Sequence, residues 1–211
     1  MRAMFAAPGR RGLAASMIPL WTKLLYTLFL CVLVPVYWVR WGLKNFLWFS
    51  DIALLTTAAA LWLESSLLAS MMLLGIALPE LAWNADFFGR LLTGRHLIGL
   101  SDYMFDARPS RGLRALSLFH VALPIVLLWA VHRLGYDARA WIFQTVVALV
   151  VLSVTYWVTD PQDNVNWVYG PGHTRQSWMH PLAYLALVMV FFPVVVYLPV
   201  HFLLRTLFGS A

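Results

Sequence analysis

Six stretches of mainly apolar residues, each close to the length that crosses a bilayer, recur along this chain. They fall at about 19–39, 46–63, 66–83, 113–133, 140–158 and 182–204. A helix needs about 20 such residues to span the hydrocarbon core. Only helices and closed barrels satisfy every backbone group in lipid, and runs of this length read as helices. Composition agrees: 62% of the residues are hydrophobic and 11% charged. Soluble domains carry about 45–50% apolar and about 25% charged residues. The expectation is an all-α, polytopic membrane protein: six transmembrane helices in one bundle over 17–211, with 1–16 as a disordered basic tail. Glu64, Ser65 and Ser66 leave so short a link that the second and third helices form an antiparallel hairpin.

The region 85–112 breaks the pattern. Phe87, Phe88, Leu91 and Leu92 share a helical face, whereas Arg90, Arg95, His96 and Asp102 argue against a span. An amphipathic segment lying in the interface fits these residues. An ordinary connecting loop is the alternative reading.

The longest stretch that cannot sit in hydrocarbon as a helix is 157–172, WVTDPQDNVNWVYGPG. Asp160-Pro161 ends the fifth segment, because the residue before proline is pushed from helical geometry. Asp163, Asn164 and Asn166 suit Asx turns, and Gly170-Pro171-Gly172 forces another turn. Trp167 and Tyr169 suit an interface. Two aspartates and two asparagines offer oxygens to a cation, but their spacing lacks the EF-hand pattern. The stretch therefore reads as a site rim or as a rigid corner, and no metal site is expected.

Ionisable residues inside spans are costly unless paired or hydrated. Glu80, after Pro79, shares a face with Ser66, Ala69, Ala77 and Asn84, a small and polar seam that packs helices in lipid. Its carboxyl should point into the bundle. His120 lies one turn before Pro124, and His201 two residues after Pro199. Each is a candidate site residue or a hydrogen-bonded interior histidine, since a metal centre needs about three protein ligands. Asp51, one turn into the second segment, reads as shallow enough to reach water. The candidate polar site is thus Glu80, Asn84, His120, Asp160, Asp163, Asn164, Asn166, Trp167 and His201. Templates for nucleophilic catalysis or phosphate cradling, such as Gly-x-Ser-x-Gly, do not occur.

The formal charge of +6 resides in short loops and at helix ends. Topology and lipid headgroups explain it without nucleic acid. Eight Lys and Arg residues fall on the side of the first, third and fifth loops and four on the other, or seven with the tail. Leaving the tail aside, the 157–172 stretch faces the cytoplasm. Cys31 is the only cysteine, so no internal disulfide or cysteine metal cluster forms.

The segments KNFLWFSDIALL (44–55), SDYMFD (101–106), GLRALSLFH (112–120), RLGYD (133–137), DNVNWVYG (163–170) and YLPVHFLLR (197–205) resemble a bacterial family of multi-pass, membrane-associated proteins. The resemblance spans residue 17 to the C-terminus. It implies a bacterial inner-membrane location and carries no activity, cofactor or catalytic residue. Two function classes follow. One is a protein that binds membrane lipids, a small solute or a membrane-protein partner, with no cofactor. The other is a membrane-embedded enzyme acting on a lipid, or a small transporter, using Glu80, His120, His201 and the 160–166 loop.

Overall fold

The computed structural model describes residues 17–172 and 174–209, so the tail expected at 1–16 lies outside the described residues. The described chain is all-α. Helices α1 (Leu20–Trp41), α2 (Phe49–Leu63) and α3 (Ser66–Thr93) are followed by a loop with one 3₁₀ turn, Asp102–Met104. Then come α4 (Arg111–Ser117), α5 (Phe119–Leu134) and α6 (Ala140–Val158). After the 157–172 corner, α7 (Pro181–Phe191), a π-helical segment (Phe192–Tyr197) and α8 (Leu198–Phe208) form one continuous apolar rod.

Five helical stretches are long and apolar enough to cross a membrane: α1, α3, α4–α5, α6 and α7–α8. The sixth apolar helix, α2, has 15 residues, or about 22 Å at the α-helical rise. A 3₁₀ segment, Leu43–Leu47, precedes it. This differs from the expected run at 46–63, because Trp48 is extended and delays the helix start.

Helix α3 is the central strut and packs on α2, α5 and α6. Ser65 caps its start by accepting from the Leu68 N–H at 3.3 Å. It runs 28 residues to Gly94, whose φ of 70° supplies the left-handed turn that stops it. The sequence reading ended this span near Trp83. The Phe87–Leu92 face instead continues the same helix, because no proline or glycine pair interrupts it before Gly94. At about 42 Å α3 outreaches the hydrocarbon core of about 30 Å.

The fourth apolar stretch breaks at Leu118, between α4 and α5. In the last stretch the ladder widens to the i→i+5 pattern between Pro193 and Pro199. Pro199 brings no N–H for the Val195 carbonyl, so a regular turn cannot close there. The core joins Leu54, Leu61, Leu74, Ile76, Leu123, Leu127 and Leu152, all essentially inaccessible. Lipid-facing side chains such as Val39, Leu81 and Ile125 lie on the outside.

Candidate functional site

Glu80 and His120 meet in the bundle. The carboxylate is 2% exposed. His120 Nδ1 lies 3.0 Å from Glu80 Oε1 and 2.9 Å from Oε2. The imidazole stacks on Trp83, with centroids 4.7 Å apart and planes at 24°. Trp83 stacks in turn on Phe87 at 5.2 Å. Phe87 approaches Phe105, and the Arg90 guanidinium covers the Phe105 ring at 4.6 Å.

Asn84 ties the two helices at the same level. Its Nδ2 donates to the Glu80 carbonyl and to the His120 carbonyl, both at 2.8 Å. The second bond has a cause in the sequence. Pro124 has no N–H for the carbonyl four residues back, which is that of His120. In lipid such a carbonyl must find another donor, and Asn84 supplies it across the α3–α5 interface.

A hydrogen-bonded pair and two single side chains border this knot, three polar units in all. Tyr37 on α1 and Ser117 on α4 share a hydrogen bond of 2.9 Å. Tyr103, in the 3₁₀ turn of the α3–α4 loop, places its phenol beside Ser117 and Trp83, and burial raises its pKa. Asp51 is the third. Its expected reach to water is not what the structure has: the side chain is buried, within electrostatic range of Glu80. Asn45 Nδ2 approaches Oδ2 at 3.4 Å, and Oδ1 has no partner among the described residues. Position one turn into a helix suggested exposure, but α2 starts inside the shell made by the 157–172 corner and α3.

That corner is built from its amides. Asn164, with φ 39°, donates from Nδ2 to the Gly170 and Gly172 carbonyls at 2.8 Å each, while its Oδ1 accepts from Tyr169 N–H at 2.9 Å. Asn166, with φ 51°, accepts from Phe49 N–H at 3.0 Å and donates to the Leu47 carbonyl at 2.7 Å. It thereby caps α2 from 117 residues away. The Tyr169 hydroxyl donates to the Tyr156 carbonyl and to the Thr159 carbonyl, the latter at 2.8 Å, closing the end of α6. Asp160 pairs with Lys44 at 2.8 Å on the surface and raises the lysine pKa. Asp163 and Trp167 are exposed.

His201 joins neither group. Its Nδ1 is 2.8 Å from the Tyr136 hydroxyl, in the α5–α6 loop. Twenty residues of continuous rod separate it from the corner at Pro181, about 30 Å of helix. Glu80, Asn84 and His120 therefore form one cluster, the corner bonds the start of α2 at Leu47 and Phe49, and His201 lies at the far end.

The loop after α3 has its own anchor, which the sequence reading missed. Asp86 accepts from the N–H groups of Ile98, Gly99 and Ser101 at 2.7, 3.1 and 2.8 Å, and from Ser101 Oγ at 2.7 Å. Asp102 pairs with Arg90 and with His96 Nε2, the latter at 2.6 Å. A carboxylate about two turns before the Gly94 exit was the available signal.

Among the described residues no group of three or more His, Cys, Asp or Glu side chains is placed to hold a metal ion. The described surface has two shallow, open concavities to note. One is an apolar groove lined by Pro35, Val36, Val39, Arg40 and Leu113. The other lies at the α5–α6 end. Neither is lined by Glu80, His120 or the corner. No protein-family model, curated protein or solved structure matches the chain.

Proposed function

We propose that this chain is a multi-pass protein of the bacterial inner membrane that works by binding lipid rather than by catalysis. α2 completes a sixth span with the 3₁₀ segment before it, and the loop at 94–110 rests in the interface. The 157–172 corner faces the cytoplasm. One observation carries the reading: the paired candidate residues serve the fold, although Asp51 Oδ1, Gln144 Oε1 and Thr155 Oγ1 have no partner among the described residues. Glu80 holds His120, and Asn84 fills the carbonyl freed by Pro124. Asn164 and Asn166 close backbone turns. What the bundle leaves for recognition is its outer face, apolar along the helices and basic at their ends. The family resemblance supports the bacterial membrane location.

A second reading rests on Asp51. A buried carboxyl oxygen without a partner, beside Glu80, suits an acid that acts on a lipid or moves a proton. Mass spectrometry of lipids retained by the detergent-purified protein separates the two. Lipid binding predicts the same retained species for wild type and Glu80→Gln, all chemically intact. Cleaved or transferred lipid products that form with wild type and vanish with Glu80→Gln overturn it in favour of the enzyme.

A further inference from the structure

We infer that the concavity at the α5–α6 end is a binding recess for an anionic phosphate group. This rests on the lipid-binding reading and names where and what it binds. The recess, about 670 Å³, opens where α3 begins and α5 and α8 end, and Ser66, His132, Tyr136, Asp137, Arg205 and Phe208 line it. Three features favour an anion. Arg205 is exposed, and its guanidinium makes no hydrogen bond or ion pair among the described residues. Its planar fork matches phosphate oxygens two at a time. His132, two residues before the end of α5, is exposed and lies edge-on to the Phe208 ring, with centroids 6.0 Å apart. Ser66 is the first residue of α3, so the positive end of that helix faces the opening.

The carboxylate in the recess does not oppose this. Asp137 is held by Arg139 through Nη2–Oδ2 at 2.8 Å and Nε–Oδ1 at 3.1 Å, and its own backbone N–H donates to Ser70 Oγ at 3.0 Å. The other charges at this end are also committed: Lys23 pairs with Glu64 at 2.7 Å, and Arg133 donates to the Met17 carbonyl. Arg205 is thus the guanidinium left over. The C-terminal ends of α5 and α8 favour basic residues in any case. That effect explains why they are basic, but not why the Arg205 guanidinium in this recess pairs with no carboxylate among the described residues. The apolar lip, Leu207 and Phe208, turns the recess toward acyl chains, so the phosphate of an anionic phospholipid fits its position. Free phosphate offers the same oxygens.

The test uses the full chain in a phosphate-free detergent, with native mass spectrometry of added phosphatidylglycerol, phosphatidylcholine and inorganic phosphate. Phosphatidylglycerol should bind about tenfold more tightly than phosphatidylcholine, and Arg205→Gln should erase that preference. Arg205→Lys should keep part of it, and Arg40→Gln, at the other membrane boundary, all of it. Displacement of phosphatidylglycerol by millimolar inorganic phosphate assigns the recess to free phosphate, and persistence assigns it to the lipid. Equal binding of both phospholipids, or no change in Arg205→Gln, overturns the recess. In that outcome lipid still retained by both proteins leaves the broader reading standing, whereas its absence removes both.

Discussion

The contact between Asn84 and His120 makes a sharp energetic prediction, because only one of its two hydrogen bonds is irreplaceable. The Glu80 carbonyl sits inside α3, where the Asn84 backbone N–H serves it whether or not the side chain does. The His120 carbonyl has no such reserve, since position 124 is proline. Asn84→Leu keeps the volume, removes both side-chain bonds and strands one carbonyl. Stranding a buried acceptor costs about 1–3 kcal/mol, and interhelical hydrogen bonds in lipid average about 0.6 kcal/mol and reach about 1.7 kcal/mol. A loss of about 1–2 kcal/mol follows. Pro124→Ala returns an N–H to that carbonyl and makes Asn84 redundant. In that background Asn84→Leu should cost under about 0.5 kcal/mol, a coupling of about 1 kcal/mol or more across the cycle. Reversible unfolding in mixed micelles or bicelles measures all four corners. Additive effects would refute the claim that Asn84 stands in for the proline's missing donor.

The corner predicts a steric failure: an added Cβ at Gly170 would lie 2.2 Å from the Thr174 carbonyl oxygen and 2.5 Å from the Gln176 nitrogen. Gly170→Ala should therefore lower stability by at least about 2 kcal/mol in the same assay, and unchanged stability would show that the two backbone segments separate easily. Asn166→Ala removes the cap on Phe49 and should cost about 1–2 kcal/mol, with faster amide exchange confined to the first turn of α2. Asp137 has its pKa lowered by Arg139. The stability it contributes is thus present above the usual carboxylate range and lost as pH falls through its folded pKa. Asp137→Asn should flatten the acid limb of a stability–pH profile, and an identical slope would count against the pair.

Apolar length alone located five spans and the α2 hairpin, since lipid leaves a run of that composition few other conformations. Glu80 was legible as inward-facing because Ala69, Ala77 and Asn84 share its face, and helices approach closely over small residues. Its partner was not legible. His120 lies 40 positions away, and nothing in a single sequence pairs α3 with α5. Asp51 misled because helix depth was counted along one element, whereas burial there comes from neighbours. The extension of α3 was obscured by Arg90, which looked like an interfacial charge. In the fold it pairs with Asp102 and lies over Phe105, which lets a charged turn continue the helix. The asparagines of the corner were read as local Asx turns. Neither forms one: Asn164 reaches forward to Tyr169, Gly170 and Gly172, and Asn166 reaches α2, roles that residue type cannot announce.

A common rule connects these positions: amides and hydroxyls gather where the helical ladder is interrupted. Asn84 answers Pro124, Asn166 answers the start of α2 after extended Trp48, and Tyr169 answers the end of α6 before Pro161. In water such gaps are filled by solvent, but within a bilayer each one needs a donor or acceptor from the chain itself. An intramembrane polar residue is therefore first explained by asking which backbone group it serves. The rule leaves a few groups over, among them Gln144 Oε1, Thr155 Oγ1 and Asp51. Asp51 makes no bond to a backbone carbonyl among the described residues, and its Oδ1 meets no donor. Replacing it with Asn adds a donor beside an existing cluster and removes the carboxyl. If Asp51 is only a spacer in the packing, Asp51→Asn should be neutral or stabilising by up to about 1 kcal/mol, with retained lipid unchanged. A stable variant that loses the protein's phenotype in cells would instead make Asp51 the one buried acid whose chemistry is used, and would move the functional reading from the outer surface to the Asp51–Glu80–His120 cluster.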